Sequence, residues 1–184
     1  MPRMFVPDTV EAAPVLTHAT LNAVSKSLGR VPNLLRAIAS SPAALQGYLA
    51  MNRSLASAVL DARTQGRIAL AVAEYNGCDY CLSAHTYLGR HLAALDDAEL
   101  AANRHGTSND LDAEAAVRLA AHIVRARGHI TDAQLNAARV AGYGDAEIVE
   151  IVLTVALNTF TNYLNEVAQT DIDFPLVTAH RQQL

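Results

Sequence analysis

The sequence predicts an all-α, single-domain helical bundle with no sheet, and three observations carry that expectation. Apolar residues make up 51% of the 184 positions while aromatics make up only 5%. Alanine, leucine and valine therefore supply the core, which favours closely packed helices over a β-sandwich. Helix start and stop signals recur along the chain, and no stretch of four to eight residues alternates as a strand would. The length is that of one domain able to bury a sizeable core.

The elements follow in order. Thr17 or Thr20 opens a first helix, and Gly29 with Pro32 closes it. Ser41 followed by Pro42 is a capping residue with proline at the first helical position, so a helix is expected over 43–60. Asp61 caps the next, whose Ile68, Leu70, Ala71 and Val72 lead to Tyr75. Asn76-Gly77 breaks it and lets another begin at Cys78. Leu111-Asp112 precedes a helix that ends near Gly128, Thr131-Asp132 starts one that ends at 142–144, and Asp145-Ala146-Glu147 opens a long helix through Tyr163. Asp171 to Pro175 reads as the start of an extended tail.

Charge narrows the function. The net charge is −4, only 17% of residues are charged, and no Lys/Arg cluster forms a basic face. Nucleic acid and anionic lipid are thereby disfavoured as partners. So little charge leaves a monomer short of polar cover and points to a homo-oligomer. The first sixteen residues lack the continuous apolar stretch of a signal peptide, and the run 151–157 is too short to span a bilayer. The expected location is cytoplasmic, where two cysteines three residues apart are more often catalytic or metal-binding than structural.

Those cysteines, Cys78 and Cys81, carry the chemistry. With a helix starting at Cys78, Cys81 and His85 follow at i+3 and i+7, all within an arc of roughly 60°. Cys81 and His85 form an i, i+4 pair that brings imidazole within reach of the thiol. Unpaired N–H groups and the dipole at a helix N-terminus favour thiolate, as do CxxC spacing and a neighbouring histidine. Glu74, four residues before Cys78, stands where it can orient His85 or accept a proton through water; as an exposed carboxylate at a helix end it would carry no role. Three other readings stay open. The pair can be small core residues, a redox sensor in a non-enzymatic oligomer, or, with His85, part of a metal site. Zinc wants four ligands, and no second CxxC-like half is present, with His91 off the face. Thioredoxin-like chemistry is disfavoured because no βαβ pattern surrounds the motif. No cofactor is expected.

The stretch from Arg67 through Glu74, Asn76-Gly77 and Cys78-Asp79-Tyr80-Cys81 to His85 resembles the core motif of AhpD-like alkylhydroperoxidases, within the carboxymuconolactone decarboxylase superfamily. Ala141 to Glu150, and Asn162-Tyr163-Leu164-Asn165 through Asp173-Phe174-Pro175, resemble the later part of its peroxidase-related branch. The resemblance runs from about Val31 onward. It implies one AhpD-like domain over 1–184, with a redox core at about 31–110, C-terminal helices at about 111–170 and a tail at 171–184. It further implies trimers or hexamers and a peroxide substrate. Cys81 would attack, Cys78 would resolve, His85 would assist deprotonation, and a dithiol such as a lipoylated protein would reset the pair. The family usually carries a glutamate twelve residues before the first cysteine; here that position is Gly66. The proton relay is then incomplete, or Glu74 replaces it. A lactone-acid decarboxylase, which the superfamily's name suggests, has no use for a CxxC.

Overall fold

The computed structural model describes residues 3–180; Met1, Pro2 and positions 181–184 of the expected tail lie outside the described residues. Within them are nine α-helices and no strand. The helices are α1 (His18–Leu28), α2 (Asn33–Ala39), α3 (Pro42–Ala56), α4 (Ala62–Tyr75), α5 (Asp79–His91), α6 (Asp97–Arg104), α7 (Leu111–Ala126), α8 (Asp132–Val140) and α9 (Asp145–Ala168). None is long and apolar enough to cross a membrane.

Capping explains most boundaries. Ser41 Oγ accepts the Ala44 N–H at 3.3 Å, and Asp61 Oδ1 accepts those of Arg63 and Thr64 at 2.9 Å. Thr131 and Gln134 form a reciprocal capping box, and Glu147 Oε2 accepts the Gly144 N–H at 2.9 Å. Three sequence expectations need correction. The helix expected over 43–60 stops at Ala56, because Ser57 and Ala58 turn back onto the carbonyls of Ser54 and Leu55. Helices α2 and α6 were not anticipated; at seven and eight residues each is too short to show a clear period. Thr17 opens α1 without a side-chain cap, its hydroxyl donating instead to the Pro14 carbonyl at 2.7 Å.

Helix α4 is the hub, packing against α5, α6, α7 and α9. Its Ile68, Ala71 and Val72 meet Ala116, Val117 and Ala120 of α7 and Ile151 and Val155 of α9 in one core cluster. Leu70 and Ala73, on another side of α4, join Cys78, Tyr80, Cys81 and Leu82 in a second. Such contact on several sides requires the apolar content of α4. The exception is Arg67, buried with its Nε 2.7 Å from Glu99 Oε1 and its Nη2 2.6 Å from Asp110 Oδ2. Those pairs join α6 and the start of α7 to the hub. After α9 the chain runs extended, and Ile172, Phe174, Val177 and Ala179 pack onto the second cluster.

Candidate active site

The turn between α4 and α5 sets the site. Gly77, at φ 69°, takes the left-handed conformation that ends α4 cheaply. Cys78 follows as the cap of α5, its sulfur accepting the Cys81 N–H at 3.3 Å where a serine or aspartate oxygen would normally sit. Cys81 is then in the first turn, and the two Sγ atoms are 2.7 Å apart with Cys78 as donor. Both are free thiols with almost no exposure, 0% for Cys78 and 2% for Cys81.

The two sulfurs are tuned in opposite directions. The Cys78 hydrogen bond lowers the Cys81 pKa against the cost of burial, and side chains of Asn165, Asn162 and Thr161 lower it further. Giving that hydrogen bond raises the Cys78 pKa, as does burial. Cys81 is thus the sulfur whose anion is favoured, with Cys78 holding the proton. Asn165 Nδ2 donates to Cys81 Sγ at 3.2 Å.

His85 stands half-buried one turn beyond Cys81. Burial pushes its pKa down to about 4, partly offset by a hydrogen bond with Asn158, so the ring is neutral at pH 7. Glu74 has both oxygens engaged. Oε2 accepts from Arg104 Nε at 2.6 Å; Oε1 accepts the His180 N–H at 2.7 Å and lies 2.9 Å from its Nδ1. Gly66 lies on α4 with nothing within 4 Å of where a Cβ would stand. Among the described residues no three His, Cys, Asp or Glu side chains gather as a metal ion would require.

Two features escaped the sequence reading. One is the buried polar stripe on α9, Asn158, Thr161, Asn162 and Asn165, which faces the dithiol and His85. Its signal was four polar residues at i, i+3, i+4 and i+7, which share one face of the helix. The other is the tail, pinned across α5. The Val177 N–H donates to Ser83 Oγ at 2.9 Å and that of Ala179 to Asp79 Oδ1 at 2.8 Å. Tyr80 donates to Asp173 Oδ1 at 2.8 Å, and Arg30 reaches Asp173 and lies 4.7 Å over the Phe174 ring.

The site is a buried dithiol at a helix start, held in an all-helical scaffold and backed by donor side chains. Residues 42–122 match the model of the Carboxymuconolactone decarboxylase family. Solved structures resemble nearly the whole chain. An uncharacterized peroxidase-related protein from Silicibacter sp. TM1040 superposes with a TM-score of 0.79 at 26% identity, over 92% of this chain and 91% of that one. An AhpD-core, peroxidase-related protein from Ralstonia eutropha JMP134 gives 0.82 at 22%, over 94% and 92%. The debrominase Bmp8 shares the fold, with a TM-score of 0.76 at 18% over 93% and 92%; a cysteine-to-alanine variant of it is solved with 2,3,4-tribromopyrrole. A search of curated proteins finds no match. The chain thus resembles the carboxymuconolactone decarboxylase family over that segment, and over nearly its whole length it has the fold of AhpD-like, peroxidase-related proteins.

Proposed function

We propose that this protein is a dithiol oxidoreductase that reduces peroxides through Cys81 as attacking thiolate and Cys78 as resolving thiol. The observation that carries this reading is the 2.7 Å sulfur pair with opposite tuning, Cys81 down and Cys78 up. Peroxide converts Cys81 to a sulfenic acid, which condenses with Cys78 to give a disulfide and water. A dithiol reductant, such as a lipoylated protein, resets the pair by exchange. His85, neutral at working pH, is the group available to move protons. The near-total burial of both sulfurs favours a small or slender oxidant. The reading sets the protein in the reducing cytoplasm, as a trimer or hexamer.

The test is peroxide consumption driven by dihydrolipoamide, with wild type set against Cys81→Ser. Catalytic consumption by wild type and none by the variant is the expected result. Equal rates, or thiols that both remain alkylatable after stoichiometric peroxide, would end this reading.

A further inference from the structure

Four polar side chains on α9, Asn158, Thr161, Asn162 and Asn165, fall within an arc of roughly 100° and are all buried. Burying an amide leaves each unsatisfied group costing about 1–3 kcal/mol, so an unpaired one in a native interior needs a reason. Two such atoms lie beside Cys81. Asn162 is wholly buried, and its Oδ1 accepts from Asn76 Nδ2 at 2.9 Å. That bond fixes the amide and leaves Nδ2 without a formed hydrogen bond, yet near enough to the Cys81 sulfur to favour its anion. Asn165, 3% exposed, spends Nδ2 on the Cys81 sulfur and leaves Oδ1 without a partner. The site therefore offers one unused donor and one unused acceptor next to the favoured thiolate, which is what a hydroxyl on that sulfur requires.

We propose that the Asn162 and Asn165 amides form an oxygen-binding site for the hydroxyl that a peroxide leaves on Cys81. Asn162 Nδ2 donates to the oxygen and Asn165 Oδ1 accepts its hydrogen. The proposal rests on the peroxide-reducing reading above and adds the groups that recognise the transferred oxygen. In the step itself, the Cys81 thiolate attacks the terminal oxygen of ROOH. An S–O bond forms and the O–O bond breaks; sulfur is oxidised by two electrons and the peroxide is reduced. The leaving alkoxide takes up one proton, equal to the one the Cys81 thiol released, and departs as alcohol, or as water when R is hydrogen. Cys78 then displaces the hydroxyl as water. Asn162 aids both steps by holding the oxygen as charge develops on it.

The experiment uses a Cys78→Ser background, in which the sulfenic acid cannot condense. Two rates are compared at a pH where Cys81 is fully ionised: oxidation by hydrogen peroxide, followed by dimedone labelling, and alkylation by iodoacetamide. Asn162→Leu should slow oxidation roughly tenfold or more and leave alkylation unchanged, since alkylation transfers no oxygen. Asn162→Ala and Asn162→Ser leave similar cavities, so faster oxidation in the serine variant isolates the donor from any packing effect. Oxidation and alkylation falling in step, or alanine and serine variants behaving alike, would overturn the oxygen site while the redox reading stands. A parent inert to peroxide would overturn both.

Discussion

Glu74 Oε2 lies 2.6 Å from Arg104 Nε, joining the last turn of α4 to the end of α6. The same carboxylate receives the backbone N–H of His180, and Arg104 Nη2 donates to the Thr178 carbonyl at 2.8 Å. The glutamate nearest the dithiol in sequence thus anchors the tail that packs beside the dithiol. Burial would raise its pKa, but the hydrogen bonds from Arg104 and His180 outweigh that and hold it below the usual carboxylate range.

Glu74→Gln should therefore loosen the tail. Faster cleavage within 171–180 by a nonspecific protease, and faster alkylation of the cysteines, are the expected outcomes. A depressed carboxylate stabilises above its unfolded pKa and loses that contribution as pH falls through its folded value. The tail of the native protein should loosen in the same way below pH 4.5. A glutamate acting as proton relay would behave otherwise: the variant would lose peroxide turnover with no change in proteolysis.

His85 offers a cleaner titration. Its pKa falls from 6.5 to about 4 in the fold, so between those values the unfolded chain binds more protons. Stability should fall as pH drops from 6.5 to about 4, and His85→Gln should flatten that part of the profile in urea melts. A neutral ring paired with Asn158 has no charge to lend Cys81. Asn165→Leu should accordingly raise the pH midpoint of Cys81 alkylation more than His85→Ala does. The reverse order would make the imidazole the main activator.

The contrast between those two variants marks where the sequence was legible. The break at Asn76-Gly77 and the 3.6-residue period put Cys78, Cys81 and His85 on one face from spacing alone, because that geometry is local. What acts on Cys81 from outside is not local. Asn165 is 84 positions away, and only the packing of α9 on α4 and α5 brings it to the sulfur. Glu74 illustrates the same limit, since its partners Arg104 and His180 stand 30 and 106 positions on. Local propensity placed the long helices well and missed α2 and α6, which are too short to show a period, although Asp96 caps α6 by accepting the Glu99 N–H at 2.8 Å.

Arg67, Glu99 and Asp110 should matter for stability more than for chemistry. Burial would raise the Glu99 pKa, but hydrogen bonds from Ser108, Asn103, the Asn109 N–H and Arg67 hold it at about 2. Glu99→Gln leaves the Arg67 guanidinium short of a partner in the interior, and should cost about 3–5 kcal/mol in urea unfolding. A cost below about 1 kcal/mol would mean that Asp110 alone satisfies the arginine.

Assembly should use the outer face of α9. Val149, Val152, Ala156, Phe160, Tyr163 and Val167 are exposed and recur every three or four residues, giving an apolar stripe roughly 27 Å long. Val152→Glu with Tyr163→Glu should shift the light-scattering mass toward the 19.6 kDa monomer without changing the circular dichroism. An unchanged oligomer would move the interface elsewhere.

Gly66 is the last test, because the resembling family usually places a glutamate there. A Cβ at this position meets nothing within 4 Å, so no close helix approach requires glycine. In a helix interior glycine costs about 0.5–1 kcal/mol relative to alanine. Gly66→Ala, Gly66→Gln and Gly66→Glu should therefore all raise the melting temperature. Turnover separates them. If the native chain lacks a proton acceptor, Gly66→Glu alone should speed peroxide reduction, with a dependence on pH near the carboxylate range, and Gly66→Gln should match wild type. Equal gains from glutamine and glutamate would trace the effect to helix stability. No gain from either would mean that proton transfer runs without a carboxylate at this position, and Glu74→Gln then asks whether the neighbouring one takes part.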